Sequence, residues 1–213
     1  MTVKILLGFL TGGIFTPIRE TVQELIEVIR ENLSDLDEES ANKFIKALLR
    51  TIGGSKVFVV GAGRSGLVAR AFAMRLMHIG FNVYVIGETV TPSMNEGDLL
   101  VVVSGSGETK YPVSAAQGAK EVGAHVVAIT SFPESTLGKL ADIVVHIKGR
   151  ILPKDGDRDY FSRQILGIHE PLTPLGTLFE LSVMIFLDAI VAELVALLGK
   201  NEEDLAKRHA TVE

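Results

Sequence analysis

The chain has 213 residues, 47% of them hydrophobic and 22% charged, with a formal net charge of −5 and no cysteine. This length suffices for one large domain with a substantial core, and the lack of cysteine excludes disulfides, cysteine nucleophiles and thiolate metal sites. An acidic balance without a basic cluster argues against a nucleic-acid partner. The five histidines show neither HxxxH nor HExxH spacing, so no metal site is expected.

Residues 1–15 are apolar apart from Lys4, but Gly12, Gly13 and Pro17 interrupt them and no small-x-small cleavage site follows. Residues 1–16 are therefore read as an extension packed on the body rather than a signal peptide, in a cytoplasmic protein. A helix is predicted over 17–32, with Ile18, Val22, Leu25, Ile26 and Ile29 on its inward face. The stretch from Ser34 to Glu39 supplies a cap and an acidic first turn for a second helix. That helix should turn Phe44, Ile45, Leu48, Leu49 and Ile52 inward and end at Gly53-Gly54.

From Lys56 the rhythm changes. Strands are predicted over 56–60, 82–86, 98–103, 124–131 and 143–147, with helices over 67–79, 111–122 and 135–141 between them. The run 98–103 is almost continuously apolar, as expected of a strand covered on both faces. Strand-helix alternation at these lengths gives an α/β fold, a doubly wound parallel sheet with short right-handed crossovers. Residues 149–174 form a polar stretch of unusual length, and such stretches are usually functional or disordered. Residues 178–198 are apolar on nearly every side, with only Glu180, Asp188 and Glu193 charged. Asp188 at the centre argues against a membrane span. Burying such a helix in so small a domain calls for a second subunit, with a polar partner for Asp188. The tail, 201–213, reads as a charged helix carrying His209. With no internal repeat or linker, 17–213 is read as a single domain.

Two glycine-serine loops carry the chemistry. Gly61-Ala62-Gly63-Arg64-Ser65-Gly66 follows the first strand, and Ser104-Gly105-Ser106-Gly107-Glu108-Thr109 follows the third. A strand that hands over to a helix through such a loop offers backbone N–H groups and hydroxyls at a helix N-terminus, a site suited to phosphate. Two of them suggest a small phosphorylated ligand between the loops, beyond the carboxyl ends of the strands. The first loop also fits GxGxxG, with Glu88 downstream, which leaves open a dinucleotide-binding dehydrogenase or a tight turn without a ligand. The second holds three hydroxyls where a helix cap needs one.

Thr177-x-x-Glu180 opens the long apolar helix. It is either a capping box or places a general base, Glu180, at the mouth of a buried helix. Burial against Leu178 and Phe179 would then bring its pKa toward neutrality. His209, in Lys207-Arg208-His209-Ala210, is either an idle surface histidine or a second chemical group.

Taken together, the GAGRSG turn, the SGSGET loop and the PLGTLFE helix start resemble the sugar isomerase (SIS) domain. The GxGRSG form of the first loop, the PLTPLGTLFE stretch and the terminal RHA are most similar to its 6-phospho-3-hexuloisomerase branch. The resemblance implies a flavodoxin-like three-layer αβα sandwich with a five-stranded parallel sheet flanked by N- and C-terminal helices. It implies interconversion of 3-hexulose 6-phosphate and fructose 6-phosphate without cofactor or metal, in the ribulose monophosphate route of formaldehyde handling, by a homotetramer. Carried over by position, Ser104, Gly105, Ser106, Gly107, Glu108 and Thr109 bind substrate, the phosphate resting on Ser104, Ser106 and Thr109. Arg64 and Ser65 face the sugar. Glu180 matches the catalytic carboxylate, and His209 matches a histidine often brought to a neighbouring subunit's site. The same fold also admits a sugar-phosphate sensor without chemistry.

Overall fold

The computed structural model describes residues 18–149, 177–206 and 208. Its elements run α1 (Ile18–Ser34), α2 (Glu38–Arg50), β1 (Val57–Gly61), α3 (Gly63–Ile79), β2 (Val83–Val85), β3 (Leu99–Val103), α4 (Lys110–Glu121), β4 (His125–Thr130), α5 (Thr136–Leu140), β5 (Ile143–His146), α6 (Thr177–Leu197) and α7 (Glu202–Ala206). The five strands form one parallel sheet in the order β2-β1-β3-β4-β5. The expected three-layer αβα sandwich is present.

Strand pleating sorts the core into two layers. Val57, Val59, Leu99, Val101, Val103, Val127 and Ile129 face α2, α3 and α6, where they meet Phe44, Leu48, Phe72, Leu76, Phe179 and Phe186. The alternate residues, Phe58, Val60, Leu100, Val102, Val126 and Ala128, pack against Val113 and Ala116 of α4 and Leu137 of α5. β3 is buried at every position, which accounts for its unbroken apolar sequence. Asp37 caps α2, accepting from the N–H groups of Glu39 and Ser40 at 3.1 Å each.

Several expectations need correction. The predicted inward face of α1 is mostly outward: Ile18 is 84%, Ile26 58% and Val22 46% exposed, and among the expected residues only Ile29 is buried. Helical periodicity says which residues share a face, not what covers it. Ile52 is likewise exposed, because α2 ends at Arg50. α6 is one-sided within this chain. Phe179, Val183, Phe186, Leu187, Ile190 and Leu194 are buried, while Ile185, Asp188 and Ala192 are exposed. Asp188 is therefore not a buried carboxylate in the single chain. None of the described helices is long and apolar enough to cross a membrane.

Candidate active site

The strand order turns at β1 and β3. From β1 the chain crosses to β2 on one side, and from β3 it proceeds to β4 on the other. The helices after β1 and β3 thus lie on opposite faces of the sheet, which opens a crevice between the loops that lead into them. Both glycine-serine loops flank that crevice.

The first is less a loop than a helix start. α3 begins at Gly63, four residues earlier than predicted, so Arg64 and Ser65 occupy its first turn. The turn is tight. A Cβ on Gly61 would sit 2.8 Å from the Gly66 nitrogen, and one on Gly66 would sit 2.8 Å from the Gly61 oxygen. These two glycines let strand and helix pack backbone to backbone. Ala62, the N-cap, offers no side-chain capping bond.

Ser65 Oγ donates to Glu180 Oε1 at 3.1 Å, and Arg64 Nε lies 3.7 Å from Glu180 Oε2. Glu180 is 4% exposed. The start of α6 packs across the start of α3, so a serine and a carboxylate 115 positions apart share a bond. Ala62, Ser65, Val103, Ser104, Gly105, Thr109 and Glu180 line one recess of about 280 Å³, counting its open mouth.

In the second loop the Gly107 N–H donates to Ser104 O at 3.1 Å, and Gly107 has φ +65, a turn suited to glycine. Thr109 is the N-cap of α4, yet its side chain makes no capping bond. Its Oγ1 lies 3.4 Å from Ser106 Oγ, which in turn accepts from the Glu108 N–H at 3.3 Å. Ser104 is 3% exposed, and its Oγ has no hydrogen-bond partner among the described residues. A buried hydroxyl of that kind is costly unless something else meets it.

Glu108 departs from the expectation that the whole loop faces the ligand. Its carboxylate turns outward to α5, accepting from the Thr136 N–H and from Thr136 Oγ1, each at 2.7 Å. Thr136 and its neighbours Thr130, Ser131 and Ser135, not expected from the sequence, adjoin this loop. The signal was available: a third hydroxyl-bearing turn follows β4 into α5. His209 lies outside the described residues, as do the polar stretch 150–174 and the extension 1–16. Arg208 is described, and its guanidinium lies 3.7 Å from where a Cβ on Gly80 would sit. Gly80 caps the far end of α3, roughly 22 Å along that helix from Ser65. Glu88, the acidic residue of the dinucleotide reading, pairs with Arg70 at 2.6 Å. No cluster of three potential metal ligands occurs among the described residues.

A crevice at the topological switch point of a flavodoxin-like sheet thus holds serine-rich turns and a buried carboxylate. The family model for the SIS domain matches residues 53–151. An uncharacterized protein of Aeropyrum pernix is 52% identical over 92% of this chain and 93% of its own length. The Bacillus subtilis protein named 3-hexulose-6-phosphate isomerase is 38% identical over 91% of this chain and 98% of its own. A Methanococcus jannaschii protein, whose crystal structure led to an inferred function of 3-hexulose-6-phosphate isomerase, superposes with a TM-score of 0.71. It is 31% identical, covering 91% of this chain and 98% of that one. The chain belongs to the SIS domain family, and within it is similar to proteins that carry the 3-hexulose-6-phosphate isomerase name.

Proposed function

We propose that the protein interconverts D-arabino-hex-3-ulose 6-phosphate and fructose 6-phosphate through an enediol(ate). The observation that carries this reading is a buried carboxylate, Glu180, lining the same recess as the Ser104 hydroxyl, which has no hydrogen-bond partner among the described residues. The phosphate rests on Ser104, Ser106, Thr109 and the loop N–H groups. Held there, it fixes the open-chain sugar so that binding energy remote from the reacting carbons aligns them.

In the direction of fructose 6-phosphate, Glu180 takes the proton from C2 of the 3-hexulose. The electron pair forms the C2–C3 double bond as the C3 carbonyl oxygen gains negative charge. Return of a proton to C3, with transfer of the O2 hydroxyl proton to O3, completes the exchange of carbonyl position. A single carboxylate serves both carbons if both face it from one side. Arg64, close to Glu180 and half exposed, is placed to stabilise the developing oxyanion. No step calls for a metal or a nucleotide.

The finer parts of this reading are a cytoplasmic enzyme of the ribulose monophosphate route, assembled as a homotetramer. The apolar stripe of Ile18, Val22 and Ile26 on α1 supports association. In such an assembly His209 serves a neighbouring subunit's site, as the resemblance to the SIS domain implies. The deciding experiment is incubation with fructose 6-phosphate in deuterated water. Deuterium should appear at C3 of recovered fructose 6-phosphate and at C2 of the 3-hexulose phosphate. A sugar-phosphate sensor binds without any such uptake.

A further inference from the structure

The second loop is tied to its neighbour by more bonds than a turn requires. The Gly105 carbonyl accepts from the Ser131 N–H at 3.1 Å and from Thr130 Oγ1 at 3.4 Å. The Gly107 carbonyl accepts from the Leu137 N–H at 3.0 Å. A trans peptide holds a C=O and the following N–H on opposite sides. The N–H groups of Ser106 and Glu108 therefore point away from the β4–α5 segment. Gly107 sits flush against that segment, since a Cβ there would lie 1.9 Å from Ser135 Oγ. The one side chain of the loop that joins this set is Glu108, through two 2.7 Å bonds to Thr136.

We propose that Glu108 is a positioning residue. Its carboxylate latches the 104–109 loop to the first turn of α5, so that the loop presents N–H and hydroxyl groups to a phosphate while its own negative charge is turned away. The two bonds are charge-assisted and meet both donors of one residue, which sets the loop's orientation as well as its distance. Left unlatched, an acidic side chain beside a phosphate site would repel the ligand and free the loop to move. The inference rests on the phosphate site proposed above and adds a device that keeps it preorganised.

The test compares Glu108→Ala, Glu108→Gln and Thr136→Val with the wild-type protein. Three readouts are taken: kcat and KM for the hexulose phosphate, the dissociation constant of inorganic phosphate, and amide hydrogen exchange of residues 104–109. Glu108→Ala should raise KM and the phosphate dissociation constant about tenfold, leave kcat within about twofold, and speed exchange of the loop amides. Thr136→Val should act in the same direction, and adding it to Glu108→Ala should bring little further change. Glu108→Gln should recover most of the affinity, because its amide oxygen accepts from the Thr136 N–H and its amide nitrogen donates to Thr136 Oγ1. A Glu108→Gln protein as impaired as Glu108→Ala would overturn the latch, since the charge itself would then be at work. So would Glu108→Ala with altered thermal stability but unchanged KM and loop exchange. Absence of turnover in the wild-type protein would overturn the proposed activity and not the latch, which phosphate affinity and amide exchange decide.

Discussion

Ser65 Oγ donates a hydrogen bond to Glu180 Oε1 at 3.1 Å, joining the first turn of α3 to the first turn of α6. Both groups are buried and both line the same recess. In the sequence Ser65 reads as a sugar ligand and Glu180 as a cap or a base. The bond between them gives Ser65 another task, which is to fix the carboxylate's rotamer.

Ser65→Ala removes a hydrogen bond to a charged group, worth about 1.5–3 kcal/mol. With one of the contacts that orient Glu180 removed, kcat should fall roughly 10- to 100-fold, while KM for fructose 6-phosphate changes little. Steady-state kinetics check this. A rise in KM at constant kcat would return Ser65 to the role of a direct sugar ligand.

Glu180→Gln keeps the shape, and its amide oxygen still accepts from Ser65 Oγ. It should fold and bind fructose 6-phosphate while losing about 10²- to 10⁴-fold in turnover, with deuterium uptake falling in step. Near-normal isomerisation in this variant would remove Glu180 as the base.

Ser104→Ala offers a separation of binding from stability. The wild-type hydroxyl has no partner among the described residues, so its loss deletes no hydrogen bond among them, and the melting temperature should hold or rise. KM should rise by the worth of a hydrogen bond to a charged phosphate, about 1.5–3 kcal/mol or roughly tenfold and more. Ser106→Ala and Thr109→Ala should raise KM similarly. Unchanged fructose 6-phosphate affinity in the triple variant would sink the phosphate assignment.

Acid stability should report Asp98. This residue is 2% exposed at the foot of β3, where it accepts from the N–H groups of Lys56 at 2.7 Å and Asn95 at 2.8 Å and pairs with Lys56 Nζ at 3.0 Å. Burial pushes its pKa up, but the two N–H groups and the Lys56 ammonium more than offset that and hold it below the ordinary carboxylate value. A folded pKa lowered below the unfolded one contributes stability fully present above the unfolded value and lost as pH falls through the folded one. Urea unfolding at stepped pH should therefore show an acid limb that Asp98→Asn flattens. That variant should also lose about 1.5–3 kcal/mol at neutral pH.

Association should be visible in light scattering as a mass above the monomer's at micromolar concentration. Val22→Glu combined with Ile26→Glu, on the exposed stripe of α1, should shift it downward. A wild-type monomer would remove both the assembly and any contribution of His209 across subunits.

Much of the architecture was legible because it depends on short-range rules. The apolar runs of β1, β3 and β4, the glycines closing the turn at Gly61 and Gly66, and the Asp37 cap are each set by residues within a few positions of one another. The glycine-serine loops were legible for the same reason, since a strand end, a glycine and a hydroxyl lie within a few residues of one another. What α1 packs on, where Glu108 points and which group meets Glu180 were not legible. Each depends on residues far away in the chain, 28 positions for Glu108 and Thr136 and 115 for Ser65 and Glu180. Sequence alone determined the kinds of groups that gather at the carboxyl edge of the sheet. Only the tertiary structure, by closing α6 over α3 and docking the second loop on α5, decided which of them face the crevice and which hold it in shape.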